Sequence, residues 1–281
     1  MRNDSYFPFI DKHLVKDFVR SRVPGLAVAR ELHYFDSAAV TSMTRWRWPQ
    51  IDDGGHTHLL KATHLSGGVM LVQPNSTKCL KAPCRLGSGR GLAPGHVVTG
   101  AAHSRAAQLA SCRHWTTFSY SGPGSETVLY SRVARGCLLE RAIGGLTEQR
   151  DMKLFVFGGR LAFVMILGKR FQERGAQEQI RINDEYDVSY FSYPSWTRLY
   201  LYEAVFLHAF APEPRPPYLE AMVADAEALA AGFASVRVDF MAQASTYAFS
   251  ELTFSHHACD GGTFMPPALE LLYGSLATTG R

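Results

Sequence analysis

Residues 235–254, SVRVDFMAQASTYAFSELTF, decide the fold, because they have the pattern of two strands joined by a short polar turn. Successive side chains of a strand point to opposite faces, so Arg237 and Asp239 share one face of the first strand. A three-residue turn at 244–246 would bring Asp239 almost opposite Glu251 on the second strand, whereas a two-residue turn would shift the pairing by one. The pattern predicts a charged face on an otherwise apolar hairpin.

Two carboxylates that face each other across a strand pair repel, so this face needs a positive partner. Arg237 is one candidate, and a divalent cation is the other. Ligands that are all oxygen favour Mg²⁺, which typically takes one or two carboxylates together with the phosphates of a substrate. The alternative is a solvated sheet face that carries a simple Arg–Glu pair.

The segments before this hairpin predict the rest of its sheet. The run YLEAMVADAEALAAG, residues 218–232, has apolar residues at three- and four-residue spacing and a glycine where a C-cap belongs, which predicts an amphipathic helix. Earlier, DMKLFVFGGRLAFVMIL at 151–167 predicts a hairpin that turns at two glycines. Asp151 and Lys153 open that hairpin and share a face of its first strand.

A second hairpin pattern, HLLKATHLSGGVMLVQP at 58–74, contains a glycine-rich turn. Lys61 lies in its first strand, and Ser66, Gly67 and Gly68 form the turn. Small residues let backbone N–H groups approach a phosphate, and a nearby lysine adds positive charge. The lysine precedes the glycines, so this is not a Walker motif. An ordinary hairpin turn is the alternative interpretation.

The rest of the chain gives weaker patterns. DKHLVKDFVRSRV at 11–23 predicts a helix whose apolar face begins at Leu14, and residues 101–113 predict a second helix. We expect residues 31–57 to be irregular and residues 74–100 to form a long loop, because both are rich in turn-forming residues.

The composition excludes several classes of protein. With 29 Lys and Arg against 25 Asp and Glu, the chain of 281 residues has a formal charge of +4 and lacks the concentrated basic stripe of a nucleic-acid-binding protein. Its longest apolar run, residues 161–168, is far shorter than the roughly twenty residues of a membrane helix. No signal-peptide pattern opens the sequence. We therefore expect a cytoplasmic protein that binds no nucleic acid and has no membrane span.

The five cysteines are an odd number scattered along the chain and do not form the framework of a small secreted protein. Reduced thiols are therefore expected. Cys79, Cys84, Cys112 and His114 have poor spacing for a zinc site, so no zinc is expected.

The order of these segments resembles that of the ATP-grasp superfamily, and most closely its branch related to the teichuronopeptide biosynthesis protein TupA. The resemblance covers residues 11–274, nearly the whole chain. Its most specific parts are the hairpin at 235–254 and the helix before it. The matching blocks are DKHLVKDFV, HLLKATHLSGG, CLLERAI, DMKLFVFGGRLAFV, SVRVDFM and YAFSELTF.

This resemblance implies an α+β protein with the ATP-grasp fold, in which a nucleotide lies between the antiparallel sheets of two α+β lobes. It implies a lead-in at 1–57 with the N-terminal helix, a small lobe at 58–139 with the glycine loop, and a large lobe at 140–281 with the metal-binding hairpin. Together the three segments would form one catalytic unit.

The resemblance also implies roles for individual residues in binding the nucleotide. Lys16 and Lys61 would reach the phosphates, the glycine loop would close over them, and the segment from Glu140 would form a hinge against the adenine edge. Asp151 or Lys153 would lie near the ribose or the phosphates. Nucleotide contacts are thus implied for Lys16, Lys61, Ser66, Gly67, Gly68, Glu140, Arg141, Ile143, Asp151 and Lys153.

Metal binding and catalysis are implied at the closing hairpin. Asp239 and Glu251 would hold Mg²⁺. Many ATP-grasp enzymes have a metal-binding Asn two residues after the Glu, where this chain has Thr253, which we interpret as a feature of the branch. Arg237 would steady the transferred phosphoryl group, and Lys61 would be the second catalytic residue.

The implied function is an ATP- and Mg²⁺-dependent carboxylate–amine ligase that works through an acyl phosphate. The TupA-like branch suggests a role in cell-surface polysaccharide modification, with a small-molecule or glycan carboxylate, such as a uronic acid, and an amine as substrates. A kinase of the same fold that phosphorylates a sugar hydroxyl is one alternative, and a non-catalytic binding module is another. The oligomeric state is left open.

Overall fold

The computed structural model describes residues 6–43, 56–65, 67–118, 130–144, 149–168, 187–199 and 214–254. The chain forms two compact units that each take several segments of the sequence. The first unit comprises Met1–Val15, Ala29–Gly122 and Thr127–Ala142, and the second comprises Lys16–Val28, Pro123–Glu126 and Ile143–Arg281.

An antiparallel sheet of six strands forms the centre of the first unit, in the order β1-β8-β2-β3-β4-β7, and β5 pairs with β6 beside it. The strands are β1 (Glu31–Asp36), β2 (His58–Ala62), β3 (Val69–Gln73), β4 (Ser76–Lys81), β5 (Cys84–Arg85), β6 (Gly91–Leu92), β7 (Val97–Thr99) and β8 (Gly136–Arg141). The helices are α1 (Phe7–Ile10), α2 (Val15–Arg22, which crosses into the second unit), α3 (Ser37–Ser42) and α4 (Ala101–Thr117).

Helix α4 covers one face of this sheet and completes the core of the first unit. Leu60 and Ala62 on β2 and Met70 and Val72 on β3 alternate onto that face and are buried. Trp115 of α4 packs among them and is fully buried. The opposite face of β2 is therefore the one that carries Lys61.

A second antiparallel sheet of six strands, in the order β12-β11-β10-β9-β13-β14, forms the second unit. Its elements are β9 (Arg150–Phe157), β10 (Arg160–Gly168), β11 (Asp187–Ser192), β12 (Arg198–Leu199), α5 (Leu219–Ala230), β13 (Ser235–Ala242) and β14 (Tyr247–Thr253). Helix α5 packs on β9, β10 and β13 through the apolar stripe that its sequence predicts, and Gly232 follows it with a φ of +95°.

The segment Lys16–Val28 of the second unit is hydrogen-bonded to the end of α5 and to β14, the last described strand. Arg22 donates from Nε to the carbonyl of Ala228 at 3.2 Å and from Nη2 to that of Ala231 at 2.8 Å, which satisfies carbonyls at the end of α5. Phe249 of β14 donates its backbone N–H to the carbonyl of Ala27 at 2.8 Å.

The α+β prediction is confirmed, and so are several of its elements. All three hairpins form where the sequence predicts them, with Gly158 and Gly159 at positive φ in the turn between β9 and β10. The helix predicted from residue 101 is α4, which extends four residues further than predicted, to Thr117. The segment predicted as an amphipathic helix before the closing hairpin is α5.

Three expectations about elements are wrong. Residues 31–42, expected to be irregular, form β1 and α3, and residues 74–100, expected to be a loop, contain β4 to β7. These strands are short, with polar residues exposed on one side, so their apolar alternation is weak. Leu14, expected on the apolar face of the first helix, is 48% exposed, because α2 begins only at Val15; the helix buries Val15 together with Val19, which was expected on that face.

The thiols also differ from the expectation. Cys79 is bonded to Cys84 and Cys112 to Cys137, so the expectation of reduced thiols is wrong for these four residues. All four are buried in the core of the first unit: Cys79 at β4 and Cys84 at β5 are five residues apart along the chain, and the packing of α4 on β8 brings Cys112 to Cys137. Cys259 lies outside the described residues.

None of the described helices has both the length and the apolarity that a membrane span requires.

Candidate active site

The second unit carries buried charged side chains on the face of its sheet that α5 does not cover. Arg237 donates from Nε to Oδ1 of Asp239 and from Nη2 to Oδ2, both at 2.7 Å, which makes a bidentate pair. From the neighbouring strand β9, Lys153 donates from Nζ to the same Oδ2 at 2.5 Å. Asp239 is only 1% exposed, so two cations neutralise one carboxylate away from solvent.

Three further residues surround this centre. Asp151, also on β9, lies with Oδ2 3.1 Å from the ammonium just described. Glu251 on β14 is directly opposite Asp239, and its Oε1 lies 3.5 Å from Nη2 of Arg237. That Nη2 also donates to Oγ1 of Thr253 at 3.0 Å. We call these six residues the charge cluster: Asp151, Lys153, Arg237, Asp239, Glu251 and Thr253.

The facing of Asp239 and Glu251 is confirmed, although the turn differs from the one predicted. Ala242 is the last residue of β13 to pair, and it pairs with Tyr247, so four residues lie between the strands rather than three. The register then shifts between Asp239 and Phe240, because β14 has one extra residue there. This bulge restores the pairing of the two carboxylates.

Burial and charge act in opposite directions on the two central partners. Burial raises the pKa of the Asp239 carboxyl, while Arg237 and Lys153 lower it, and the effect of burial is the larger. Burial lowers the pKa of the Arg237 guanidinium, but Asp239, and with smaller effects Glu251 and Asp151, raise it, so the net direction is upward. Asp239 therefore depends on its two cations to stay ionised.

The donor atoms of the charge cluster fit Mg²⁺ in their chemistry, since Asp239, Glu251 and Thr253 offer only oxygen. Both oxygens of Asp239 already accept hydrogen bonds from cations, whereas the side chain of Glu251 is 33% exposed. Over the described ranges, no three His, Cys, Asp or Glu residues are grouped as ligands of one metal ion. A cation bound here would take part of its ligands from outside the protein, such as phosphate oxygens.

The first unit carries a second pair of opposite charges, on the face of its sheet away from α4. Lys61 on β2 forms an ion pair with Glu140 on the adjacent strand β8. The side chain of Glu140 is 4% exposed and that of Lys61 23%, so the lysine is the more accessible partner. The predicted phosphate lysine is thus held in place by a buried carboxylate.

The glycine turn between β2 and β3 is closely packed in the first unit. The N–H of Gly68 donates to the carbonyl of Ala82 at 3.0 Å, and the N–H of Ala62 donates to the carbonyl of Gly68 at 2.9 Å. A Cβ on Gly67 would lie 2.1 Å from the oxygen of Ala82, and one on Gly68 would lie 3.0 Å from the ring of Trp115. Both positions therefore require glycine. Ser66 lies outside the described residues.

The other predicted nucleotide residues lie on both units. Lys16 is in the first turn of α2 and is 5% exposed. In the predicted hinge, the backbone N–H groups of Arg141 and Ala142 donate to carbonyls of the first unit at 2.9 Å. The carbonyl of Ile143 accepts a hydrogen bond from the side chain of Gln149.

Sequence reasoning missed the main-chain oxygens that hold the glycine turn and its surroundings. The ammonium of Lys12 donates to the carbonyl of Leu65, directly before the glycine turn, at 2.6 Å. The side chain of Trp115 donates to the carbonyl of Pro83, next to the Ala82 carbonyl that receives Gly68. No signal in the sequence marks Ala82 or Pro83, since both act through a main-chain oxygen. The lack of space for a Cβ at Gly67 and Gly68 is an indirect sign of these contacts.

Comparison with known proteins gives matches among solved structures alone. No protein-family model matches the chain. No curated protein matches it either.

Solved ligase structures are similar to this chain. The D-alanine–D-alanine ligase of Bacillus anthracis complexed with ATP has 11% identity and a TM-score of 0.41, with 87% of this chain and 53% of that chain covered. The ATP-grasp ligase PsnB, complexed with minimal precursor, Mg and ADP, has 14% identity and a TM-score of 0.40, with 96% of this chain and 57% of PsnB covered. The D-cycloserine synthetase DcsG has 13% identity and a TM-score of 0.44, with 98% of this chain and 71% of DcsG covered.

The chain spans little more than half the length of the first two of these structures. Identities this low do not transfer an activity or a substrate from one chain to another.

Proposed function

We propose that this chain is an ATP- and Mg²⁺-dependent ligase that joins a carboxylate to an amine through an acyl phosphate. The observation that carries the proposal is the charge cluster: a buried guanidinium and a buried ammonium share one carboxylate, with a second carboxylate opposite. Burying these charges is costly, and perturbed charges grouped on one sheet face are typical of functional sites.

The chemistry of the charge cluster suits the transfer of a phosphoryl group. Arg237 and Lys153 would neutralise charge on the transferred phosphoryl oxygens, as electrostatic stabilisation requires. Asp239, Glu251 and Thr253 would hold Mg²⁺, which supplies charge neutralisation for phosphate oxygens when it is bound. Asp151 would keep the Lys153 ammonium in place.

The first unit supports the proposal with its own phosphate-binding features. Lys61 is the accessible partner of its ion pair with Glu140, so its ammonium has donors left for a phosphate. The N–H of Gly68 is bonded to the carbonyl of Ala82, so the backbone of Gly67 would be the part of the glycine turn that approaches the phosphates. Lys16, the first residue of the second unit, would add a further positive charge, and the segment 140–143 would contact the adenine edge.

The reaction itself is written as two steps. The substrate carboxylate attacks the γ-phosphorus, which gives an acyl phosphate and ADP. The amine then attacks the acyl carbon, which gives an amide, inorganic phosphate and a proton. The cytoplasm is proposed as the place of this reaction, and a cell-surface uronic acid is proposed as the carboxylate from the resemblance of the sequence to the TupA-like branch.

A thermal-unfolding series tests nucleotide binding first. A non-hydrolysable ATP analogue with Mg²⁺, at about a hundred times its dissociation constant, should add about 2.7 kcal/mol to the stability of the wild type. Lys61→Ala and Glu251→Gln should lose most of this gain. Arg105→Ala and Glu220→Gln, which change exposed charges in the first and second units, should keep it. Absence of any gain in the folded wild type would refute the ligase and the kinase together, and would favour the binding module.

A product assay then separates the ligase from the kinase. With ATP, Mg²⁺, a uronic acid and hydroxylamine as the amine, a ligase forms a hydroxamate and releases ADP and inorganic phosphate in equal amounts. A kinase releases ADP without inorganic phosphate and leaves a stable phosphoester on the sugar. The second result would refute the ligase and keep the nucleotide site.

A further inference from the structure

The glycine turn of the first unit has a fixed support behind it. The support is the turn between β4 and β5, whose residues Ala82 and Pro83 present their carbonyl oxygens to Gly68 and to the Trp115 side chain. The disulfide between Cys79 and Cys84 closes this turn, with the two Cα atoms 6.1 Å apart. The backbone that receives the Gly68 N–H is thus part of a small covalent ring.

The packing leaves no room for this support to move without moving the glycine turn. The oxygen of Ala82 occupies the space where a Gly67 Cβ would be, and the ring of Trp115 lies where it would contact a Cβ on Gly68. The Cys84 sulfur also lies close to β3, the strand that follows the glycine turn, at 3.8 Å from the carbonyl of Val69. A change in the disulfide is therefore transmitted to the glycine turn through direct contacts.

We propose that the Cys79–Cys84 disulfide positions the glycine turn, and that its reduction weakens nucleotide binding by this chain. The statement about nucleotide binding rests on the proposed function. The reductant is a dithiol: its two thiols supply two electrons and two protons, the sulfur–sulfur bond of the protein breaks to give two cysteine thiols, and the dithiol becomes a disulfide.

The expected fall in nucleotide affinity on reduction follows from the loss of one backbone constraint. Oxidised, the ring holds the Ala82 carbonyl in place before the nucleotide arrives, so binding does not have to order it. Reduced, the turn between β4 and β5 gains conformational freedom that binding must remove again. Ordering about one residue more corresponds to a fall in nucleotide affinity of about tenfold.

Two measurements on the wild type test the proposal without any substitution. Hydrogen exchange of the Gly68 amide, which is bonded to Ala82, should become faster after treatment with dithiothreitol. Calorimetric titration with Mg²⁺ and a non-hydrolysable ATP analogue should give an affinity about tenfold lower in the reduced protein. Unchanged exchange at Gly68 or equal affinities in the two states would each overturn the proposal.

Matched pairs of variants assign the effect to one disulfide. Cys79→Ser with Cys84→Ser should bind the analogue as the reduced wild type does and should no longer respond to dithiothreitol. Cys112→Ser with Cys137→Ser removes the other disulfide of the same core and should still respond. The assignment would be wrong if dithiothreitol still weakened nucleotide binding by the Cys79→Ser, Cys84→Ser variant. It would also be wrong if only the Cys112→Ser, Cys137→Ser variant lost this response.

The outcome separates this proposal from the proposed function. If the oxidised wild type binds no nucleotide, the proposed function fails, while hydrogen exchange at Gly68 still decides whether the disulfide positions the turn. If nucleotide binds equally in both redox states, the nucleotide site stands and the redox proposal fails. Free thiols at Cys79 and Cys84 in the air-purified protein, counted by alkylation and mass spectrometry, would also overturn it.

Discussion

Replacing Asp239 by Asn removes one negative charge from the charge cluster and leaves its shape almost unchanged. In the wild type, Asp239 accepts three hydrogen bonds from cations, two from Arg237 and one from Lys153. An Asn has one oxygen and one NH₂ group at the same place, so its NH₂ faces donors. The variant therefore keeps two buried cations that have lost their shared carboxylate.

The magnitude follows from this geometry. A hydrogen bond to a charged group contributes about 1.5–3 kcal/mol, and breaking a buried ion pair from one side costs about 3–5 kcal/mol. Asp239 is 1% exposed, so solvent cannot replace what is lost. Asp151 beside Lys153 and Glu251 beside Arg237 remain and offset part of the loss. We therefore expect Asp239→Asn to lower the free energy of unfolding by about 3 kcal/mol.

Urea unfolding followed by circular dichroism measures this change. Adding Lys153→Met to Asp239→Asn removes an ammonium that also lies 3.1 Å from the buried Asp151 carboxylate, so we expect little of the lost stability to return. A double-mutant cycle of the two substitutions measures the coupling between Lys153 and Asp239. Glu220→Gln, which changes an exposed ion pair with Arg215 on the same unit, should cost less than about 1 kcal/mol. A loss below about 1 kcal/mol for Asp239→Asn would refute the description of the cluster as a buried, mutually dependent set of charges.

Three further predictions concern other parts of the chain. Burial lowers the pKa of His64 to about 4, below the usual 6.5, so the unfolded state gains a proton first as the pH falls. We therefore expect the stability of the wild type relative to His64→Gln to decrease from pH 6.5 towards pH 4, by about 3 kcal/mol in total. Parallel curves of unfolding free energy against pH for the two proteins would contradict this. Gly67→Ala should cost about 1–3 kcal/mol in urea unfolding because its Cβ meets the oxygen of Ala82, whereas Gly25→Ala, with nothing within 4 Å, should be nearly neutral. Tyr247→Phe removes the 2.7 Å hydrogen bond from the phenol to Oδ2 of Asp225 and should lower the free energy of unfolding by about 1 kcal/mol. Burial raises the pKa of the Tyr247 phenol, so the tyrosine that ionises at raised pH should be missing from a spectrophotometric titration of the variant.

The sequence is enough to predict those features that depend on local alternation. The hairpin of β13 and β14 follows from its alternating pattern, and the shared face of Arg237 and Asp239 follows from the two-residue period of a strand. The amphipathic stripe of α5 is equally local. These features need no knowledge of distant parts of the chain.

What the sequence does not predict depends on which strands become neighbours. Lys153 contacts Asp239 only because β9 lies beside β13, and the two residues are 86 positions apart. The turn between β13 and β14 is one residue longer than predicted. Asp239 and Glu251 still face each other, because a bulge in β14 compensates for the extra turn residue. A bulge has no composition signal here that would distinguish it from a regular strand.

Disulfides in the first unit were missed for the same reason. Spacing along the chain does not show that Cys112 on α4 meets Cys137 on β8, since that depends on how the helix packs on the sheet. The strands between residues 74 and 100 were missed because their sequences contain many turn formers, and their pairing with each other overrides that preference.

The contact of Arg22 with the end of α5 also has a consequence for synthesis on the ribosome. The two partners are 206 positions apart, and the whole first unit from residue 29 onward is made between them. At about 5–20 residues per second, the segment 16–28 has to wait on the order of 10–40 s for α5 and β14 to emerge. The first unit can complete its own sheet during this interval. Slow translation before β13 would therefore lengthen the time during which the apolar side of α2 is exposed to chaperones or to other nascent chains.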